Sequence, residues 1–349
     1  MNTASFGGLR RLASRARSRL SSRALILLYH RVAEASSDPW SLAVKPAHFA
    51  EHLDVIKRRA SVLSVEGLVA AITNGKLPRR AVVITFDDGY ADNLLNARPL
   101  LERYDCAATV FVTTGFAGSD REFWWDELDR LLLQPGALPP SLQLTVGSKD
   151  YSWDLGEAAR YGESAFHANG RWRAWQTEDP SSRHLLYRSL WELMHPMRED
   201  ERRRVRDDLV SWAGADRSPR ASHRALSSDE LGELAEGGLV EIGCHTVTHP
   251  KLAAIDPSTQ REEIGQSKSR LEELLNRRIK SFAYPYGRPC DYTAETVALV
   301  KEAGFDSACS TTSGPVNRRS NLFELPRFQA PDVDGEALDR LVGQWFADR

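Results

Sequence analysis

Val82-Val83-Ile84-Thr85-Phe86-Asp87-Asp88-Gly89-Tyr90 is an apolar run that stops abruptly at two carboxylates. Five consecutive apolar or β-branched residues read as a strand buried on both faces, as in a parallel sheet, where helices cover each side. Asp and Gly then favour a turn. A second run of this kind, 239–243, leads into His245-Thr246-Val247-Thr248-His249-Pro250. Further apolar segments lie at 25–29, 108–112, 281–284 and 306–310. Helical patterns separate them at 47–59, 65–74, 93–104, 228–236, 257–276 and 293–302. Strands alternating with helices predict a mostly parallel α/β fold. Chemically able residues gather where strands end, at Tyr29-His30-Arg31, Asp87-Asp88-Gly89, His245 and Tyr284-Pro285-Tyr286-Gly287. That layout suits a parallel barrel or a doubly wound sheet, and periodicity alone does not separate the two.

The chain has 349 residues, 42% of them hydrophobic, enough for one large domain or a domain with an insert. Its net charge of −2 and the lack of a basic stripe interleaved with aromatics argue against a nucleic-acid partner. Cys106, Cys244, Cys290 and Cys309 form no Cys-x-x-Cys pair, which suits a reducing compartment. Residues 1–23 carry six arginines and no acidic residue. There is no apolar run followed by a small-residue cleavage site, so the expectation is a cytoplasmic protein without a secretory signal. The basic segment reads either as a solvated tail or as a helix resting on anionic lipid through Phe6, Leu9, Leu12 and Leu20. Residues 24–345 form the expected main domain. Within it, 118–224 break the strand–helix rhythm and hold seven of the nine tryptophans. This stretch reads as a mostly helical insertion whose tryptophans build a local core or a platform for sugar faces.

His245 and His249 are four apart. On one helical turn that spacing directs both side chains to one metal. Asp88, from a neighbouring strand end, supplies a third, oxygen ligand. Two histidines and one carboxylate leave positions for water and substrate, as catalytic zinc requires; Co²⁺, Ni²⁺ and Fe²⁺ also fit such a set. Asp87 is then free to take a proton from a water at that metal. In Phe282-Ala283-Tyr284-Pro285-Tyr286-Gly287, the Pro and Gly fix a turn whose Tyr286 N–H can face a developing oxyanion.

Taken together, Thr85-Phe86-Asp87-Asp88-Gly89, His245-Thr246-Val247-Thr248-His249 and Tyr284-Pro285-Tyr286-Gly287 resemble the three leading motifs of the polysaccharide deacetylase family. This is carbohydrate esterase family 4, with its NodB homology domain. The resemblance covers roughly residues 24–116 and 225–330. It implies a distorted (β/α) barrel and metal-dependent removal of an N-acetyl group from an amino sugar. It also implies Asp87 as base, Asp88, His245 and His249 as metal ligands, and the Tyr286 amide as oxyanion donor. An acetylated amino-sugar polymer or a lipid-linked glycan would be the substrate. The same machinery would serve an O-acetyl esterase or a deformylase, and an idle sugar-binding module is the alternative of another class.

The chain departs from the family pattern in three places. Ala283 stands where many members carry an Arg that positions the base, and neither an Asp-Trp fourth motif nor a Leu-x-x-His fifth motif is recognisable. Two residues are candidates for the missing roles. His30, in a Tyr-His pair resembling that of one family subgroup, would be the general acid. Arg327, in Leu325-Pro326-Arg327-Phe328, would hold Asp87.

Overall fold

The computed structural model describes residues 22–119 and 121–347. The readings made for residues 1–21 therefore lie outside the described residues. Eight strands form one parallel sheet: β1 (Arg23–Tyr29), β2 (Ser61–Leu63), β3 (Arg80–Phe86), β4 (Ala108–Val112), β5 (Val240–Cys244), β6 (Ser281–Ala283), β7 (Ser307–Cys309) and β8 (Phe328–Gln329). The order is β7-β6-β5-β4-β3-β1-β8, with β2 also on β3. β3 pairs with β1 along its whole length, from Arg23↔Arg80 to Tyr29↔Phe86. Its other edge is divided. Ala81–Val83 face β2, while Ile84–Phe86 face β4. The sheet curls into the distorted barrel that the resemblance implies.

The stretch from Leu325 to Gln329 bridges the two edges of this curl. At one edge the Leu325 N–H donates to Ala308 O (2.9 Å) and Ser310 N–H donates to Leu325 O (2.9 Å). At the other, Phe328 and Gln329 pair with Leu27 and Leu28. Arg327 sits between the two attachments.

Strand parity then decides which residues reach the interior. Ala24 and Ile26, Ala81 and Val83, Phe111, Ala283, Cys309 and Leu325 share one small inner cluster. Further along the same faces come His30, four residues beyond Ile26, and Asp87, four beyond Val83, while His245 stands two beyond Gly243, the β5 partner of Phe111. Their partners one position off, including Leu27, Tyr29, Ile84 and Phe86, pack outward into the larger core against the helices. The expected helices are present with ends shifted by a residue or so. The helix Ser228–Ala235 begins at Ser227, whose hydroxyl and the Glu230 side chain form a reciprocal cap.

The insertion is less helical than the sequence suggests. It contains an antiparallel hairpin, Ser141–Val146 with Lys149–Asp154, beside the helices Trp124–Leu132, Ser182–Met194 and Glu199–Ala213. The hairpin buries Leu142 and Leu144 on one face and leaves Gln143 and Thr145 outside, the period of a half-buried strand. The insertion has its own core, with Leu128, Leu132, Leu142, Leu186, Tyr187, Leu190 and Leu209 at most 1% exposed. At its root Arg220 bonds Glu122 (2.8 Å) and Asp129 (2.7 Å).

Gly243 marks how full the barrel interior is. A Cβ there would lie 2.4 Å from Phe111 Cδ1 and 2.7 Å from Ser281 Oγ. Gly243→Ala is expected to destabilise the protein by about 1–3 kcal/mol, the usual cost of overpacking. Chemical denaturation of the two proteins side by side checks this; an unchanged midpoint would contradict it.

Candidate metal centre

Three strand ends build the centre. The Asp87 N–H donates to Tyr29 O (3.0 Å), extending the β1–β3 ladder by one residue and holding the Asp87 side chain inward. The chain then reverses through Asp88 (φ 73°) and Gly89 (φ 82°). The end of β4 links this turn to the histidine loop. Thr113 N–H donates to Asp88 O (3.2 Å), Thr114 N–H to Thr246 O (3.1 Å) and Gly115 N–H to Val247 O (2.7 Å).

The histidine loop is not a helical turn, contrary to the spacing argument. It follows β5 as an irregular segment with Thr246 at φ 66° and His249 at φ 56°. Positive φ is strained for a β-branched residue, and side chains support it here. Thr246 Oγ1 accepts the His249 N–H (3.1 Å). Glu263, on the helix Pro257–Leu275, accepts the N–H groups of Val247 (2.9 Å) and Thr248 (2.8 Å) and the Thr248 hydroxyl (2.6 Å).

This loop brings His245 and His249 to Asp88 by a different route from the expected one. Their Nε2 atoms stand 3.6 Å and 3.4 Å from Asp88 Oδ1. One ligand atom from each of the three residues lies within 4.8 Å of the others. His245 Nδ1 donates to Ala283 O (2.8 Å), which leaves its Nε2 lone pair facing Asp88. The carbonyl of Ala283 therefore orients a member of the candidate metal group. The His249 ring packs edge-on against Trp125 (4.9 Å) and Tyr286 (4.6 Å).

The electrostatics suit a cation. Burial, followed by repulsion from Asp87 and Asp126, pushes the Asp88 carboxyl well above its usual range. Burial lowers both His245 and His249, keeping them neutral and able to donate. Asp88 Oδ1 is buried without a hydrogen-bond partner. Such an atom carries a desolvation cost that a bound divalent cation would remove.

Asp87 is provided for separately. Arg327 Nη1 and Nη2 donate to its two carboxylate oxygens at 2.7 Å each, and Arg327 Nε donates to Ser310 O (2.9 Å). Burial alone would raise Asp87, but the charge and hydrogen bonds of the Arg327 guanidinium counter it, and the carboxyl lies below its ordinary range. His30 lines the same cavity, and burial pushes it down to about 4. Tyr286 sits at φ 60°, its carbonyl accepting the Thr311 hydroxyl (2.7 Å). The Tyr286 N–H has no partner in the chain among the described residues. Asp87, Asp88, His245, His249, His30 and Tyr286 line one cavity of ≈ 390 Å³, with Arg327 behind Asp87.

Comparison with known proteins bears on the family and the fold. A family model described as polysaccharide deacetylase matches residues 74–135 and 209–308, leaving out the middle of the insertion. The chain belongs to the polysaccharide deacetylase family. A putative polysaccharide deacetylase, YxkH of Bacillus subtilis, is 34% identical over 89 residues, 25% of this chain and 30% of that protein. A poly-beta-1,6-N-acetyl-D-glucosamine N-deacetylase of Staphylococcus aureus is 31% identical over 110 residues, 28% of this chain and 38% of that protein. The match thus spans about a third of the length of these relatives. Among solved structures, the Streptococcus pyogenes deacetylase PplD has a TM-score of 0.56 at 20% identity, covering 92% of this chain and 98% of that one. IcaB from Ammonifex degensii has 0.56 at 16%, covering 92% and 97%. At these identities the likeness is one of fold.

Glu263 was not singled out from the sequence, because an acidic residue in a charged amphipathic helix reads as a solvated face. Its three bonds make it the support of the histidine loop. Glu263→Ala is expected to weaken metal binding roughly 10–100-fold, as loss of an outer partner does. Glu263→Gln, which keeps one acceptor oxygen, should lose less. Competition against a chromogenic chelator measures both, and wild-type affinity in the Ala variant would remove Glu263 from this role.

Proposed function

We propose that the protein is a metal-dependent carbohydrate N-deacetylase acting on an acetylated amino sugar. The observation that carries the reading is the pairing of a buried Asp-His-His group with a second carboxylate, Asp87, clamped beside it by Arg327. The S. aureus relative, named as an N-deacetylase of a poly-N-acetylglucosamine, supports the substrate class. Zinc is the default ion for Asp88, His245 and His249, with Co²⁺, Ni²⁺ or Fe²⁺ as substitutes. Bound there, such an ion would act as a Lewis acid, acidifying a water and polarising the acyl oxygen.

The residues divide the remaining work. Asp87 is ionised, fixed in direction by two charge-assisted hydrogen bonds, and takes the proton of the attacking water. As the water oxygen bonds to the acyl carbon, the Tyr286 N–H donates to the acyl oxygen, which gains charge. Breakage of the C–N bond then needs a proton on the departing nitrogen. His30 rests neutral, so it serves as a relay, passing on the proton that Asp87 has taken up. Acetate and a free amine result.

The test is acetate release from N-acetylglucosamine oligomers by the metal-reconstituted full chain. Wild type is expected to release acetate, Asp87→Asn to lose it, and His30→Ala to lose roughly 10²–10⁴-fold in turnover with its metal retained. Absence of release by wild type at full metal occupancy rejects this substrate. Release only from O-acetylated or N-formylated sugars would move the reading to an esterase or a deformylase.

A further inference from the structure

Trp175 is the one exposed tryptophan among the described residues, with 58% of its surface open. Its backbone is nevertheless firmly tied. Ala174 N–H donates to Pro39 O (2.9 Å), Arg173 Nε to Ser41 Oγ (2.7 Å), and Arg188 Nη1 to Gln176 O (2.9 Å). The facing loop is held as tightly. Asp38 accepts the N–H groups of Leu42 (2.8 Å) and Ala43 (3.1 Å), and Trp40 Nε1 donates to the Tyr187 hydroxyl (2.9 Å). Two loops distant in sequence are thus stitched to each other, each presenting an indole. The Trp40 ring lies 6.4 Å from Trp175 and 4.3 Å from Trp191. All three rings line the cavity that contains Asp87, Asp88 and the histidines. The middle of the insertion, which the family model leaves out, supplies two of the three.

We propose that Trp175 and Trp40, the latter backed by Trp191, which itself stacks on His195 at 4.6 Å, form a stacking subsite for a pyranose ring next to the acylated sugar. What the subsite adds is a recognised position for a second sugar ring, supplied in part by the insertion. This rests on the carbohydrate reading above. A pyranose presents an apolar C–H face of slight positive charge, which suits the negative face of an indole, while its hydroxyls stay at the rim. An open indole suits such a one-sided contact. A lipid chain would need an apolar enclosure, whereas this cavity also carries Arg288, Thr311 and Gln329, which can pair with hydroxyls. Rigid loops keep the ordering cost of binding low.

The experiment uses the full chain bearing Asp87→Asn, so that ligand is not turned over. Binding of N-acetylglucosamine and its β-1,6-linked oligomers is followed by calorimetry and tryptophan fluorescence. Oligomers are expected to bind more tightly than the monomer. Adding Trp175→Ala should weaken oligomer binding by roughly 3–10-fold and shrink that gap, with Trp175→Phe retaining part of it. Metal content and melting temperature serve as folding controls. Equal oligomer affinity with and without Trp175, or no oligomer binding by any variant, overturns the subsite. The two readings fail separately. Oligomer binding through Trp175, with no acetate released by the Asp87-containing protein, removes the deacetylase and leaves the subsite. Acetate release by a protein whose oligomer affinity ignores Trp175 does the reverse.

Discussion

Two adjacent carboxylates, Asp87 and Asp88, are buried at 2% exposure each at the mouth of the barrel, and Arg327 pairs with the first alone. The rest of the site follows from this inequality. A buried ion pair is tolerated when its geometry is bidentate and its other donors are used, which Ser310 O and Thr85 Oγ1 ensure. The second carboxylate faces two neutral imidazoles and the charges of Asp87 and Asp126, and a divalent cation is the natural counter-charge. The Arg also ties the site to barrel closure. Leu325 and Phe328, on either side of it, hold opposite edges of the sheet, so aiming the guanidinium and closing the barrel are one structural event.

Backbone strain collects at the same place. Of the seven non-glycine residues with positive φ among the described residues, four are Asp88, Thr246, His249 and Tyr286. Three of these four line the cavity, and the fourth, Thr246, supports His249 through its hydroxyl. Turning the chain sharply just past a strand end points a side chain or an N–H into the cavity that a regular continuation would direct elsewhere. The cost of such conformations, of order 1–3 kcal/mol each, is offset by local bonds such as those from Glu263 and the Thr311 hydroxyl.

Much of this was legible in the sequence. Apolar runs gave the main strands, because buried parallel strands need little else to be recognised. Ile26-x-Leu28-x-His30 and Val83-x-Thr85-x-Asp87 carry the inward parity on which the site depends. Less legible were features set by tertiary contact. The four-residue spacing of His245 and His249 suggested a helical turn, but their convergence comes from a strained loop held by a remote carboxylate. β8 is two residues long and too short to carry a pattern. The hairpin at Ser141–Val146 does show alternation, in Leu142 and Leu144, yet its short span lies among helices and tryptophans that dominate the reading of the insertion.

Barrel and insertion are not independent parts. Tyr90, immediately after the Asp87-Asp88-Gly89 turn, donates its hydroxyl to Asp126 (2.6 Å) and accepts Trp125 Nε1–H (2.9 Å), while the Trp125 ring meets His249 edge-on. On the other side, the Tyr286 ring packs against His195 at 4.2 Å and Trp191 at 6.2 Å. The insertion therefore braces His249 of the candidate metal group and the turn that carries the unpaired Tyr286 amide, as well as supplying aromatic rings to the cavity wall. Changes in its packing would be felt at the strand ends, because close-packed interiors transmit strain rather than absorb it. The barrel positions the buried carboxylates and histidines; the insertion, through the same aromatic residues, both stiffens that arrangement and shapes the cavity above it.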